Sequence, residues 1–338
     1  FIGKRLQSSL AGHEVVVLHR GNAGTTAVEG VRLVHGDLAD VSALTSLIAQ
    51  FKPDVLVDMV AMNGAQAQPR VQAMAGRVGR AVVISSGSVY LSFGRLCGDE
   101  PGPFVNEPFC ESMPVSQRLF PYRGQTGGLE RYRFLETYEK LEVERAYCSN
   151  PQLRSVMVRL PMVYGAEDPD GRLWPYLTRM LAGRSCIYLH DAAASWKNSR
   201  LYVDDAAQAI GALVLNDQAT GIYNVADEDA MTEADWITAI GRASGWSGRV
   251  IRVPARHAPW ARPRIDELPQ RANFQQHLTM CSQRLRQELG YQEAVGHVLG
   301  LQRAVRGTLG HKAFAESLEQ DLDLDRLVSE GHVETCIT

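Results

Sequence analysis

The first half of the chain alternates short apolar runs with stretches in which apolar residues recur at helical spacing. Leu6 and Leu10, and later Leu44, Leu47 and Ile48, each mark one face of a helix. The apolar runs contain few polar residues, as in strands that are covered on both faces of a sheet. We predict these strands at residues 14–20, 31–38, 54–61, 79–90 and 155–159. Strands and helices that alternate in this way predict an α/β fold with a parallel sheet.

Residues 91–128 interrupt this alternation. They are rich in Gly, Pro, Glu and Phe and show no clear periodicity. A segment of this length is too long for an ordinary connection, so we expect either a lid over a functional site or a partly ordered loop. Tyr122 and the Thr126–Gly128 turn come just before the next predicted helix.

The second half of the chain is richer in turns. We predict helices near residues 173–181, 232–240, 281–289 and 298–309, and strands near 186–189, 221–225 and 249–254. Residues 316–334 contain seven acids and one arginine, which predicts a solvated helix or a loose tail.

Composition excludes several classes of function. The 338 residues are 45% hydrophobic and 22% charged, as in an ordinary globular protein, and the formal net charge is −3. This charge does not favour a nucleic-acid partner, and no apolar run approaches the ~18 residues of a membrane span. The six cysteines are scattered, so we expect reduced thiols and a cytoplasmic location. No metal-ligand cluster is evident.

Six short segments along the chain together resemble a known family. They are FIG at Phe1, GDL at Gly36, SSGSVY at Ser85, K-x-x-x-E-R at Lys140, RLPMVYG at Arg159 and GIYNV at Gly221. In this order they resemble the extended short-chain dehydrogenases/reductases, the NAD-dependent epimerase/dehydratase family. The resemblance implies a Rossmann-like, doubly wound parallel sheet whose first strand would precede Phe1. A chain without that strand is expected to bind dinucleotide weakly.

The resemblance also implies a division of the chain. Residues 1–165 would form the NAD(P)-binding domain, and residues 166–312 a substrate-binding part that is interleaved with the sheet. Residues 313–338 would form an acidic tail.

The family's catalytic residues are matched only in part. Ser86 resembles the hydroxyl that polarises the substrate oxygen, and Lys140 resembles the lysine of the family's Y-x-x-x-K pair. The matching tyrosine position holds Glu136. If the helix begins near Leu135, Glu136 and Lys140 share a face and could form an ion pair, whereas Tyr138 lies on roughly the opposite face. Tyr138, or alternatively Glu136 or Tyr122, is then the candidate for proton transfer, since Tyr132 would lie two turns away.

The resemblance further implies contacts to NAD(P). The implied cofactor-binding residues are Gly3, Arg20, Asp37, Leu38, Ala61, Ser85, Lys140 and Pro161. Arg20 follows the second strand of the fold, where a guanidinium can pair with the 2′-phosphate of NADP, so NADP is slightly preferred. An exposed loop arginine is the alternative interpretation, just as Asp37 could instead serve helix capping together with Asp40.

The substrate is expected to be a small molecule, either a nucleotide sugar or another carbonyl or alcohol compound. Ser88, Tyr122, Tyr164 and Arg200 are candidate substrate contacts, and Arg200 is also a candidate for binding phosphate. Because the usual tyrosine is absent, a non-catalytic NAD(P)-binding sensor or scaffold is the alternative function. Family members often pair through helices at the sheet edge, so a homodimer is possible.

Overall fold

The computed structural model describes residues 1–21, 28–124, 130–263, 268–269, 271–309, 319–333 and 335–337. Thr126–Gly128 therefore lies outside the described residues. The strands are β1 (Val15–His19), β2 (Val31–His35), β3 (Val55–Asp58), β4 (Arg80–Ser86), β5 (Arg154–Leu160), β6 (Met162–Tyr164), β7 (Cys186–His190), β8 (Arg200–Tyr202), β9 (Gly221–Asn224), β10 (Arg249–Val253) and β11 (Cys336–Ile337).

The helices lie between these strands. They are α1 (Ile2–Ser9), α2 (Val41–Phe51), α3 (Gly64–Met74), α4 (Leu91–Cys97), α5 (Lys140–Cys148), α6 (Trp174–Leu181), α7 (Asp191–Ser195), α8 (Val203–Leu215), α9 (Glu233–Ser244), α10 (Gln283–Leu289), α11 (Gly296–Leu309) and α12 (Glu319–Ser329). Two 3-10 helices span Gly87–Val89 and Glu130–Thr137. None of the described helices is long and apolar enough to cross a membrane.

The central sheet has the order β3-β4-β5-β9, and all of its strands are parallel. The register pairs Ser86 with Leu160, so the exits of β4 and β5 lie side by side. β1 and β2 form a separate parallel pair that is not hydrogen-bonded to the central sheet within the described ranges. The strand that the resemblance places before Phe1 stays an expectation.

Helices cover both faces of the central sheet. Val82 and Ile84 of β4 pack in one hydrophobic cluster with residues of α1 and α8, whereas Ala81 and Val83 pack in another with residues of α2, α3 and α5. Since alternate residues of a strand face opposite sides, this distribution requires a layer on each side. The predicted α/β, doubly wound parallel sheet is therefore confirmed.

The second half of the chain returns to this sheet. β9 pairs with β5, and α8 packs against α1, so residues beyond 165 complete the layers begun by the first half. The division into a cofactor-binding and a substrate-binding part stays a prediction.

The carboxyl-terminal helix is not a loose tail. Asp321 of α12 pairs with Arg179 at 2.6 Å, and Asp325 pairs with Arg184 at 2.6 Å. Leu324 is only 1% exposed. The helical alternative was correct, but α12 is neither loose nor solvated on every face, because Leu324 is buried and two acids have arginine partners on and just after α6.

The packing of α12 predicts a measurable contribution to stability. Leu324→Ala should lower the free energy of unfolding by about 3 kcal/mol, because it leaves a cavity in a buried cluster. Leu322, which is 59% exposed, provides a matched control, and Leu322→Ala should cost less than about 0.5 kcal/mol. Urea unfolding of the two variants measures the difference, and equal losses would show that α12 does not pack as described.

Candidate active site

One cleft opens at the carboxyl ends of β4 and β5. It has a volume of about 390 Å³, within the range of small-molecule sites, and we call it the cleft throughout. Ser86, Lys140 and Pro161 line it, so three residues predicted from separate segments come together. Its aromatic wall consists of Phe93, Phe109, Tyr122, Tyr132, Phe134, Tyr138 and Trp196. The position agrees with the general rule that ligands of open α/β sheets bind beyond the strands' carboxyl ends.

Lys140 is a buried cation at the base of the cleft. Its side chain donates hydrogen bonds to the Ala61 carbonyl at 2.6 Å and to the Ile84 carbonyl at 2.9 Å. Burial lowers the pKa of Lys140 to about 8, although the negative charge of Asp58 acts in the opposite direction. The ammonium is therefore held by the ends of two adjacent strands and not by a directly bonded carboxylate.

Asp58 fixes the backbone that holds this lysine. Its Oδ1 accepts hydrogen bonds from the backbone nitrogens of Val60 and Ala61, both at 3.0 Å. Arg70 pairs with the same carboxylate at 3.0 Å, and the Tyr147 hydroxyl donates to it at 2.6 Å. Burial alone would raise the pKa of Asp58, but the Arg70 charge and these hydrogen bonds outweigh burial and lower it. Asp58 therefore stays ionised and positions the Ala61 carbonyl.

Glu144 ties the ends of β4 and β5 together behind the cleft. Arg159 binds it through two nitrogens, at 2.9 and 2.7 Å, and the Ser85 hydroxyl donates to it at 2.5 Å. Two parallel bonds of this kind fix the relative position of both side chains. The Ser85 hydroxyl is thus engaged by Glu144, although Ser85 still lines the cleft.

Ser86 and Ser88 face each other at the exit of β4. The Ser86 oxygen accepts from the Ser88 backbone nitrogen at 3.1 Å and from the Ser88 hydroxyl at 3.0 Å. Ser86 thus caps the 3-10 helix Gly87–Val89, as a hydroxyl at a strand end often does. Because Ser86 is the acceptor in both bonds, its own O–H remains able to donate into the cleft.

The helix that carries Lys140 begins later than the sequence predicted. α5 starts at Lys140, and the Glu139 side chain caps it by accepting from the Leu141 backbone nitrogen at 2.9 Å. Glu136 lies in the preceding 3-10 helix and accepts from the Gly124 backbone nitrogen at 3.0 Å. The expected face shared by Glu136 and Lys140 was therefore wrong, because the two residues do not belong to one helix.

The later start also changes the position of Tyr138. This residue precedes the helix, so the expectation of an opposite helix face was wrong. The Lys140 Nζ lies 5.8 Å from the centre of the Tyr138 ring. Tyr138 also contacts Tyr122 edge to face, with 5.2 Å between ring centres. Both tyrosines line the cleft, and so does Tyr132, which the helical frame had placed two turns away.

Four further predicted cofactor residues, Gly3, Arg20, Asp37 and Leu38, do not themselves line the cleft. Gly3 lies in α1, where a Cβ would meet the Met59 sulfur at 3.3 Å. Arg20 follows β1 and is exposed, and Asp37 is exposed and accepts from the Ala39 backbone nitrogen at 2.9 Å. Leu38 packs against the hydrophobic cluster beneath α2, whose helix is capped by Asp40.

Two predicted substrate residues, Tyr164 and Arg200, do not line the cleft. Tyr164 is fully buried and packs against Trp236, with 4.8 Å between ring centres. Arg200 is buried, forms an ion pair with Glu233 and lies 4.5 Å from the Trp236 ring centre. Arg200 therefore has an internal counter-ion, and the phosphate contact expected of it has no support.

The two supporting networks and part of the aromatic wall were not predicted from the sequence. Glu144 was visible in the K-x-x-x-E-R frame but had no assigned role. Asp58 stood inside the strand predicted at residues 54–61, where a buried acid could have suggested a structural function. Trp196 gave no signal, because its place in the cleft depends on contacts between distant segments. In the described part of the chain, no group of three or more His, Cys, Asp or Glu residues is arranged to hold a metal ion.

Comparison with known proteins decides the family. The model of the NAD dependent epimerase/dehydratase family matches residues 1–93 and 138–226, more than half of the chain. The chain belongs to the NAD-dependent epimerase/dehydratase family. The family resemblance drawn from the six sequence segments is thereby confirmed.

Several individual proteins are similar to this family member. The 2′-dehydrokanamycin reductase of Streptomyces kanamyceticus is 30% identical over 262 residues, which cover 76% of this chain and 66% of that protein. The UDP-glucose 4-epimerase of Thermus thermophilus, solved in complex with NAD, has a TM-score of 0.65 at 20% identity, covering 92% of this chain and 97% of the other. RMD from Pseudomonas aeruginosa, solved with NADPH, has a TM-score of 0.60 at 16% identity and covers 92% and 96%.

The buried lysine makes the stability of the protein depend on pH. Because the pKa of Lys140 is about 8 in the folded protein and ordinarily 10.5, the folded state binds fewer protons between these values. Stability should therefore rise with pH across this window. Between pH of about 7.5 and about 9.5, the free energy of unfolding of the wild-type protein should rise by about 2 kcal/mol more than that of Lys140→Met. Urea unfolding of the wild-type protein and of Lys140→Met at both pH values measures this difference. If the two free energies of unfolding change with pH in parallel, the lowered pKa of the buried Lys140 is contradicted.

Proposed function

We propose that this family member is an NAD(P)-dependent oxidoreductase that acts on a carbonyl or alcohol group of a sugar-like small molecule. The observation that carries the proposal is the meeting of Ser86, Tyr138 and Lys140 in one cleft, with Pro161 beside them. These groups come from the end of β4, the residues before α5, the first residue of α5 and the exit of β5. Because these groups meet at one place, they can act together on a single oxygen atom of the substrate.

The residues of the cleft are compatible with a nicotinamide cofactor. Lys140 presents a buried ammonium whose two observed acceptors are backbone carbonyls, so cofactor hydroxyls could share or replace them. Pro161 would lie against the nicotinamide, as the family resemblance implies, and Ser85 is a further candidate contact to the cofactor. When bound, the cofactor supplies or accepts a hydride at the nicotinamide ring.

Three side chains would then handle the substrate oxygen. Ser86 would donate a hydrogen bond that polarises it, and Ser88 would hold Ser86 in place. Tyr138 would move the proton, because an ammonium near a phenol favours the phenolate form and Lys140 lies 5.8 Å from the ring centre. Tyr122, which touches Tyr138, is the second candidate, whereas Glu136 is turned to the Gly124 backbone.

The arginines considered for binding phosphate favour a sugar without a diphosphate over a nucleotide sugar. Arg172, which lines the cleft, pairs with Asp168 at 2.7 Å and Asp170 at 2.6 Å. Arg200 lies outside the cleft and pairs with Glu233. Aromatic walls instead suit the apolar faces of a sugar ring. The similarity to a 2′-dehydrokanamycin reductase also favours reduction over epimerisation. Epimerisation is the second possibility.

The preference for NADP and the non-catalytic alternative both stay open to test. Arg20 is exposed at the end of β1, as a residue that pairs with a 2′-phosphate would be. A sensor or scaffold would need the nucleotide site but not the alignment of Ser86 and Tyr138. The shared cleft of these two residues therefore favours the enzyme.

The choice between the two tyrosines gives the first kinetic prediction. Tyr138→Phe should lower kcat by about 10²–10⁴-fold, the usual contribution of a positioned proton donor. Tyr122→Phe keeps the aromatic contact and should change kcat by less than about tenfold if Tyr138 transfers the proton. Turnover of reduced nicotinamide with dehydro-aminoglycosides and with nucleotide sugars measures both. If Tyr122→Phe lowers kcat more than Tyr138→Phe does, Tyr122 is the residue that transfers the proton.

Variants of Ser86 and Lys140 distinguish a catalytic protein from a non-catalytic sensor. Ser86→Ala should lower kcat by about 10²–10³-fold, because it removes a hydrogen bond to the oxygen that develops charge. Ser88→Ala is a matched control that keeps the Ser86 hydroxyl and should have a smaller effect. Turnover that survives both Ser86→Ala and Lys140→Met would contradict the catalytic assignment.

A further inference from the structure

Two free cysteines lie opposite each other on paired segments beside the cleft. Phe109 and Met280 form a parallel bridge, in which the Phe109 backbone nitrogen donates to the Thr279 carbonyl at 2.9 Å. The Cys281 backbone nitrogen donates to the Phe109 carbonyl at 3.0 Å. The next residue on each segment, Cys110 on one and Cys281 on the other, therefore continues the same register. Both are free thiols in the structure.

The spacing of such a pair suits a disulfide. Paired strands lie ~4.8 Å apart, and disulfides join Cα atoms ~4.4–6.8 Å apart. The register places the two side chains on the same side of the paired segments. In agreement with this, partial burial first and the neighbouring Cys281 second raise the pKa of Cys110. Cys110 and Cys281 are thus already aligned, although they are far apart in sequence.

The pair is accessible from outside, and the residues that precede it, Phe109 and Met280, line the cleft. Because side chains alternate along an extended segment, Phe109 and Met280 face inward and are 2% and 4% exposed. Cys110 is exposed and Cys281 is half-buried. Asn224 donates to the carbonyls of both Phe109 and Cys281, at 3.0 and 3.2 Å, and so holds the two segments together.

We propose that Cys110 and Cys281 form a redox-active pair that closes to a disulfide by exchange with a small-molecule disulfide. The thiolate of Cys110 attacks one sulfur of the oxidant and releases one small thiol. The thiolate of Cys281 then attacks the Cys110 sulfur and releases the second. Two protein thiols lose two electrons and two protons, and the oxidant's S–S bond is reduced to two thiols. The bond would lock Phe109 and Met280, two walls of the cleft, against each other.

Mass spectrometry after equilibration with oxidised glutathione tests this pair directly. We expect a peptide that links Cys110 to Cys281 and disappears after reduction, while the buried Cys97 and Cys186 stay reduced. Cys110→Ser should leave Cys281 unpaired or joined to glutathione. Cys148 is an exposed thiol at the end of α5 and is not a member of the pair, so Cys148→Ser should leave the link unchanged.

The melting temperatures of the oxidised and reduced proteins provide a second test. The oxidised wild-type protein should melt about 5 °C higher than the reduced protein, because the bond closes a very long loop. The Cys110→Ser/Cys281→Ser variant should show no such shift. Separate glutathione adducts on Cys110 and Cys281, without a link, would overturn the proposal whether or not the protein proves to be an oxidoreductase.

Discussion

The arrangement of the cleft depends on the burial of one charged group, the ammonium of Lys140. Lys140 is 4% exposed, and a buried cation is costly unless its donors are satisfied. Here the Ala61 and Ile84 carbonyls accept from it, and these carbonyls come from the ends of neighbouring strands. The lysine therefore binds the first residue of α5 to the edge of the sheet where the cleft opens.

Two buried acids make this arrangement rigid. Asp58 holds the Ala61 backbone and binds Arg70 and Tyr147, whereas Glu144 joins Ser85 to Arg159. Neither acid bonds directly to the ammonium, but both lie near enough to offset part of its burial. The Asp58 network fixes the exit of β3, and the Glu144 network fixes the exits of β4 and β5, from which Ser86 and Pro161 reach the cleft.

Much of this could be predicted from the sequence, and the errors have identifiable causes. The strands were visible as apolar runs, and Ser86, Lys140 and Pro161 were identified from local segments. The start of α5 was not predicted, because the residue that caps it is Glu139, whereas Ser, Thr, Asp and Asn are the usual capping residues. Arg200 was a candidate for binding phosphate because its partner Glu233 is 33 residues away. Contacts of this kind form only after folding, and for the same reason α12 could be mistaken for a solvated segment.

The central claim is that Lys140 holds a nicotinamide cofactor in the cleft, and a binding titration tests it most directly. NADPH and NADH would be titrated into the natural full-length protein and into its Lys140→Met variant, with nicotinamide fluorescence as the signal. The account predicts that the wild-type protein binds at least one of them and that Lys140→Met binds it at least about tenfold more weakly, a loss of about 1.4 kcal/mol. Equal affinities, or no binding of either nucleotide by the wild-type protein, would contradict it.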